Sequence, residues 1–485
     1  NFSNELEFYS WWGENVKSNN ELRTNLLIDN TKEFVLKREK HGIPKIQADS
    51  DEKIFFGFGM TMAHDRLFQL DYLRRKALGT LSEVMGEKCL DLDKVAKTMN
   101  FSSISNTDKK SITQNSNLPQ VTIIHTGGTI ASKVDYATGA VIARLDPDEL
   151  LDANPELVEQ ACISVIKLGN MWSDDMRPQH WNSILNACEE AFNSGSVGVV
   201  ICHGTDTMHI SSSAIAFGWA GNGGIPPGRI VFTGSQRSSD RGSSDSSENL
   251  LAAIHWAAYG PSVNGDIGDS TVVIMHDSSG DGNCAVFSGV GVRKMHTSRR
   301  DAFQPINNSK LANISINRNE LTINIPNKWA SNTRKINTKP SMYDCDLKFT
   351  HLVANAHLQS EIIDSVKEKG HAGIILHGTG LGHLPIENPL DDAPENLEIA
   401  KSITNYISSG GIALMVGQCI NGPINMDVYS KGRLQQELGI IGHPSTTSPD
   451  TAAVKLHWIL SNNHEEIREL IKTNLCGENP ATLDF

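Results

Sequence analysis

Residues 121–132 read VTIIHTGGTIAS, and residues 197–207 read VGVVICHGTDT. In each, an unbroken apolar run stops abruptly on glycine and threonine. A short apolar run closed by such a turn signal is the pattern of a strand buried on both faces. RIVFTGS (229–235) and TVVIMHD (271–277) repeat it. Pro155–Ile163, His180–Phe192 and Asn249–Ala258 carry helical spacing between these runs. Strand–helix alternation of this kind predicts an α/β fold with a parallel sheet covered on both sides. Open parallel sheets bind ligands beyond the carboxyl ends of their strands, which is where the Thr/Gly clusters fall.

Outward from this core the texture changes twice. Residues 307–348 are polar, with strand-like alternation in NISINRNELTINI, and predict a strand pair followed by a linker. A second α/β unit follows, with strands near 350–354, 372–377 and 411–416 and helices at 360–369, 397–408, 450–461 and 464–472. Upstream, SSISNTDKKSITQNSNL (102–118) is almost wholly polar and reads as a linker. Before it lies a helix-period stretch from Phe55 to Val84. The expected division is 1–117 as a separate, mostly helical segment with its linker, then α/β domains at 118–335 and 345–485. The site is expected at the interface of those two domains.

The 485 residues carry 43 Lys plus Arg against 56 Asp plus Glu, a formal net charge of -13. That argues against a chain whose own surface wraps nucleic acid. No apolar run approaches membrane-helix length, and eight cysteines without a CxxC pair predict reduced, mostly buried thiols in a cytoplasmic protein.

Four clusters hold the candidate chemistry. Thr126-Gly127-Gly128-Thr129 offers a hydroxyl beside backbone N–H groups able to stabilise an oxyanion. His203-Gly204-Thr205-Asp206-Thr207 places a hydroxyl next to a carboxylate, a nucleophile- or water-activating pair if a base is near; the same residues also suit a helix cap. Thr233-Gly234-Ser235-Gln236 runs into RSSDRGSSD (237–245). Arg293-Lys294-Met295-His296-Thr297-Ser298-Arg299-Arg300-Asp301 is either a solvated basic face or the source of a basic partner for a threonine. No phosphate loop, zinc spacing or GxSxG elbow is present, so neither ATP use by this chain nor catalytic metal is expected.

TGGTIAS (126–132) with HGTDTM (203–208) resembles the L-asparaginase/glutaminase family. VDYATGAV (134–141), QRSSDRxSSD (236–245), VRKMHTSRRDAF (292–303), HGTGLGHLP (377–385) and INMDVYSKGR (424–433) narrow the likeness. Together they resemble the archaeal GatD family of glutamyl-tRNA(Gln) amidotransferase subunits, over about three quarters of the chain. The resemblance implies a two-domain asparaginase-like fold and a threonine nucleophile, Thr129, assisted by Tyr136 on a mobile loop. It makes Thr205, Asp206 and Lys294 the second catalytic set. Gly128, Ser173, Asp174 and Gly204 would bind the substrate, Ser173 and Asp174 holding its α-amino and α-carboxylate ends. Asp174 is shorter than the Glu or Gln expected there, which bears on glutamine against asparagine preference. Ser235 replaces a more usual alanine.

The implied activity is hydrolysis of the glutamine side-chain amide, with ammonia passed to a partner subunit, GatE. That partner would use ATP and Mg²⁺ to convert Glu-tRNA(Gln) to Gln-tRNA(Gln) and would carry most of the tRNA contact. A homodimer through the asparaginase domains and a heterotetramer with GatE are the implied assemblies. A stand-alone cytoplasmic L-asparaginase shares the same threonine machinery, and a scaffold that has lost catalysis is a third reading. Residues 38–86, by contrast, resemble the start of a penicillin-acylase-type hydrolase, whose serine nucleophile has no counterpart before Val121.

Overall fold

The computed structural model describes residues 34–38, 44–99, 114–134, 141–143, 154–238, 243–261, 271–317, 320–325, 335–462 and 465–480. The chain forms two compact units, Asn1–Ser111 and Ile112–Phe485.

In the first unit an antiparallel hairpin of β1 (Phe34–Arg38) and β2 (Pro44–Ala48) leads into helix α1 (Asp51–Leu78). Gly79 ends α1 in the left-handed conformation, where its N–H reaches the Arg75 carbonyl. A helix α2 (Leu90–Met99) follows. Asp93, buried at the start of α2, accepts the N–H groups of Leu81 (2.8 Å) and Ser82 (2.7 Å). Phe55, Phe56 and Phe58 stay 53–56% exposed on α1.

The second unit has two lobes. The larger is built on an eight-stranded sheet. Its strands are β3 (Gln120–Gly127), β4 (Cys162–Met171), β5 (Gly198–Cys202), β6 (Arg229–Thr233), β7 (Thr271–His276), β8 (Asn283–Ser288), β11 (Ala312–Asn317) and β12 (Glu320–Asn324). Two further short strands, β9 (Val292–Lys294) and β10 (Phe303–Pro305), pair separately. The sheet order is β12-β11-β8-β7-β6-β5-β3-β4, parallel from β4 to β7 and then antiparallel. Helices α3 (Pro178–Asn193) and α4 (Met208–Ala220) pack on one face and α5 (Ser246–Tyr259) on the other. The chain runs from β3 outward to β4, then returns to β5 on the opposite side of β3. Strand order therefore reverses between β3 and β5, the switch point at which such sheets open a ligand crevice.

The smaller lobe is a parallel sheet of β13 (Phe349–Val353), β14 (Gly373–Gly378) and β15 (Ile412–Gly417). Helices α6 (Ser360–Glu368), α7 (Glu395–Ser408), α8 (Ser430–Glu437), α9 (Pro449–Ser461) and α10 (Ile467–Lys472) surround it. Helix α9 packs against α4 of the larger lobe, where Ser213 Oγ and Thr451 Oγ1 lie 3.0 Å apart. Beneath α9, Lys455 and Glu478 form a buried ion pair at 2.7 Å, their side chains 1% and 0% exposed.

Several expectations change. Only Leu157–Gln160 of the expected 155–163 helix is helical, and Cys162 already belongs to β4. That strand lies at the sheet edge, and its burial is irregular because Lys167 and Asn170 interrupt the apolar pattern. Helix α4 escapes a periodicity search because nearly every one of its residues is buried, leaving no polar stripe. The polar stretch expected to be linker up to 118 is anchored before its end. The Gln114 side chain donates to the Ile163 carbonyl (2.9 Å) and accepts the Ile163 N–H (2.5 Å). All eight cysteines are free, but Cys345 and Cys419 are exposed and Cys89 and Cys162 half-buried, so only four are buried thiols.

Candidate active site

The site is assembled at the switch point. Thr126 Oγ1 donates to the Cys202 carbonyl (3.0 Å), tying the end of β3 to the end of β5. Gly128 has φ +86, and a Cβ there would sit 2.6 Å from the Gly204 nitrogen. Glycine is therefore required both by conformation and by the approach of two backbones. A Cβ on Gly204 would in turn meet the Ser173 side chain at 2.7 Å. Gly128, Gly204 and Ser173 are thus stacked in contact. Thr129, half-buried, opens a 3₁₀ turn directly after Gly128.

Lys294, at the end of β9, reaches into this group. Its Nζ donates to Thr205 Oγ1 and to Asp206 Oδ1, both at 2.8 Å. The lysine side chain is 10% exposed, whereas Asp206 is 70% exposed. With its oxygen accepting from Lys294, the Thr205 hydroxyl keeps its own proton free to be directed outward. Thr207 Oγ1 donates to the Ser173 carbonyl (2.6 Å), fixing the turn Ser173–Asp175 against the loop after β5. Ser173 is buried and Asp174 exposed. Tyr136 lies outside the described residues, as do Asp240 and Arg241 of the third cluster.

These residues all belong to the larger lobe, and the link to the smaller one runs through the adjacent Arg293. Its Nη1 pairs with Asp450 Oδ2 at 2.5 Å, and His209 Nε2 lies 3.3 Å from that same oxygen. Burial alone would raise the Asp450 carboxyl. The hydrogen bond and charge of His209, together with Arg293, hold it below the usual carboxylate range. The basic run 293–300 is thus only partly a solvated face: Arg293, Lys294 and Arg300 are each committed to a carboxylate.

A second frame supports the third cluster. The Asp245 carboxylate, fully buried at the start of α5, accepts Ser235 Oγ (2.9 Å) and the N–H groups of Gln236 (3.0 Å) and Arg237 (3.1 Å). Asn249 Nδ2 donates to the same carboxylate (3.1 Å) and to the Gly234 carbonyl (3.0 Å). The serine at 235 is therefore used, its hydroxyl helping to satisfy a buried charge. Burial acts on two histidines nearby. Burial pushes His203 down to about 4, and its Nδ1–H donates to the Gly204 carbonyl (2.7 Å). Burial likewise lowers His276. Cys202, at the end of β5, is pushed up to about 12 by burial and is inert as a nucleophile.

Reading the sequence alone missed His209 and Asp450 as parts of this frame, while Thr207 and Asp245 stood in the candidate clusters without an assigned role. Asp450 is 157 residues from Arg293, so no local pattern joins them.

Comparisons with known proteins agree with this fold. The "Asparaginase, N-terminal" family matches residues 120–328, and the "Glutaminase/Asparaginase C-terminal domain" family matches 351–471. The "Penicillin amidase" family matches 35–118. Among relatives, the GatD subunit of the Pyrococcus abyssi glutamyl-tRNA(Gln) amidotransferase is 40% identical over 74% of this chain and 77% of its own length. That of Thermococcus kodakarensis is 34% identical over 91% of this chain and 95% of its own. Among solved structures, the thermostable L-asparaginase of Thermococcus kodakarensis superposes with a TM-score of 0.60 at 27% identity, covering 75% of this chain and all (100%) of that one. L-asparaginase I of Vibrio cholerae gives 0.57 at 24% identity, covering 75% and 99%, and shares the fold. The chain thus carries the fold of an asparaginase-type amidohydrolase and belongs to the GatD family of glutamyl-tRNA(Gln) amidotransferase subunits.

Proposed function

We propose that this chain is the glutaminase subunit of a Glu-tRNA(Gln) amidotransferase, releasing ammonia from the glutamine side-chain amide for a partner subunit. The observation that carries the chemistry is the Lys294 ammonium bridging Thr205 and Asp206 beside the Gly128–Gly204–Ser173 stack. In this reading a threonine hydroxyl, Thr129, attacks the carboxamide carbon and loses its proton to a neighbour. The carbonyl oxygen becomes an oxyanion facing backbone N–H groups at the glycine turn. Collapse breaks the C–N bond, the nitrogen leaves as ammonia, and water then hydrolyses the threonyl ester to give glutamate. Tyr136 assists the first step. Thr205, Asp206 and Lys294 move the proton, and Ser173 with Asp174 holds the amino-acid end of the substrate.

The partner is GatE, in a heterotetramer around a homodimer of this chain, in the cytoplasm. ATP and Mg²⁺ belong to that partner, which activates the glutamate on the tRNA. The described residues contain no helix long and apolar enough to cross a membrane. The penicillin-amidase-like segment contributes no acyl transfer, since the family's serine nucleophile has no counterpart upstream of the sheet. The deciding experiment compares glutaminase and asparaginase rates of the purified chain with and without GatE and Glu-tRNA(Gln). Glutaminase stimulated by both supports the proposal. Robust asparagine hydrolysis indifferent to them supports a stand-alone asparaginase instead.

A further inference from the structure

Outside the crevice, Glu248 on α5, His276 at the end of β7 and Asp281 in the following turn each offer one ligand atom within 4.8 Å of the other two. His276 is 1% exposed, and the state of its ring is decided by Asn249. The Asn249 Nδ2 gives its hydrogens to Gly234 O and to the Asp245 carboxylate, so its Oδ1 is the atom facing His276 Nδ1 at 2.6 Å. An amide oxygen only accepts, hence Nδ1 carries the ring proton. In the neutral ring, Nε2 is then a bare lone pair. It lies 3.1 Å from Glu248 Oε2, yet no described residue completes a hydrogen bond to it.

Glu248 Oε2 also accepts the Gly282 N–H (2.9 Å), but a lone pair and two carboxylates brought this close still repel unless a cation lies between them. The positive charge already present is insufficient. Arg300 pairs with Asp281 and spends its other arm on the Ser243 carbonyl. Against that one charge stand Glu248, Asp281 and the buried Asp245. We propose that Glu248, His276 and Asp281 form a divalent transition-metal site, Zn²⁺ or Mn²⁺, with water completing the coordination sphere. Imidazole plus two carboxylates suits these ions better than Ca²⁺ or Mg²⁺, which prefer all-oxygen sets. Asn249 is the outer partner that orients the imidazole, the arrangement metal-binding histidines generally require. The ion ties the turn between β7 and β8 to α5. Through Asn249 and Asp245 it braces the Ser235–Arg237 turn, so its role is structural and it touches no reacting atom.

The test is metal binding by the untagged full chain, stripped with a chelator and titrated calorimetrically with Zn²⁺ and with Mn²⁺. One ion per chain is expected, with a rise of a few degrees in melting temperature at saturation. Glu248→Gln and Asp281→Asn, at half-buried and exposed positions that tolerate change, should each weaken binding by about tenfold or more. Absence of binding by either ion, or binding unaltered in both variants, overturns the proposal. So does a ¹⁵N spectrum of the metal-titrated chain with both ring nitrogens of His276 protonated, which would make a proton the bridging cation. These readouts do not depend on amide hydrolysis, so the site stands or falls separately from the glutaminase reading.

Discussion

Arg293 and Asp450 are ion-paired at 2.5 Å between the two lobes of the second unit, one residue from Lys294. His209, two residues beyond Thr207, approaches the same Asp450 oxygen at 3.3 Å. One carboxylate of the smaller lobe therefore grips both segments that bring Lys294 and Thr205 together. Asp450→Asn keeps the shape but loses the charge. It is expected to destabilise the chain by about 2 kcal/mol, the scale of charged hydrogen bonds. It should also lower kcat while leaving KM nearly unchanged, because Lys294 loses its setting. Steady-state kinetics alongside thermal unfolding separate these effects; a rise in KM alone would count against a positioning role.

Lys294→Met retains the aliphatic stem and removes the ammonium. The glutaminase kcat is expected to fall by roughly 10²–10⁴-fold, the usual contribution of a proton-transfer partner. Thr129→Ala should abolish the ester intermediate, read as loss of threonine modification by a carboxamide-derived electrophile. Retention of substantial activity in Thr129→Ala would move the nucleophile to Thr205.

His203 is pushed from 6.5 down to about 4 by burial. The unfolded chain thus binds the extra proton first as pH falls. The contribution of neutral His203 is intact above pH 6.5 and is lost progressively as pH drops toward 4, amounting to about 3 kcal/mol across that window. Urea midpoints measured at several pH values should show this slope. In His203→Asn, which keeps an N–H for the Gly204 carbonyl but does not titrate, stability should be lower overall and flatter over the same range.

Lys455 satisfies Glu478 in the core and also donates to the Ile471 carbonyl at 3.1 Å. Lys455→Met strands a buried carboxylate, at a cost of about 3–5 kcal/mol. Adding Glu478→Gln should recover most of that loss, since the neutral amide no longer needs a counter-charge. A melting experiment on both variants checks it.

A chain beginning at Ile112 is expected to keep its amide hydrolysis, because every described contact of the proposed catalytic residues lies in the second unit. It should also aggregate less, since the exposed Phe55, Phe56 and Phe58 are gone. Loss of turnover in the shortened but folded chain would assign the first unit a part in the reaction.

Much of the sheet was legible from residues alone, because β5, β6 and β7 are buried on both faces and must be continuously apolar. The Gly–Thr stops after β3 and β5 were legible for the same reason: a chain leaving a buried sheet beside a ligand crevice needs tight, polar turns. What the amino-acid order could not reveal is convergence between distant residues. Strand order alone places Gly128 against Gly204, β9 aims Lys294 at Thr205, and helix α9 delivers Asp450 to Arg293 and His209. Likewise the tautomer of His276 follows from which end of Asn249 faces it, and that is set by Gly234 and Asp245. Local pattern reports how a residue's neighbours in the chain are solvated. Catalytic geometry is a property of neighbours in space, supplied by the strand order within the larger lobe and by the packing of the two lobes.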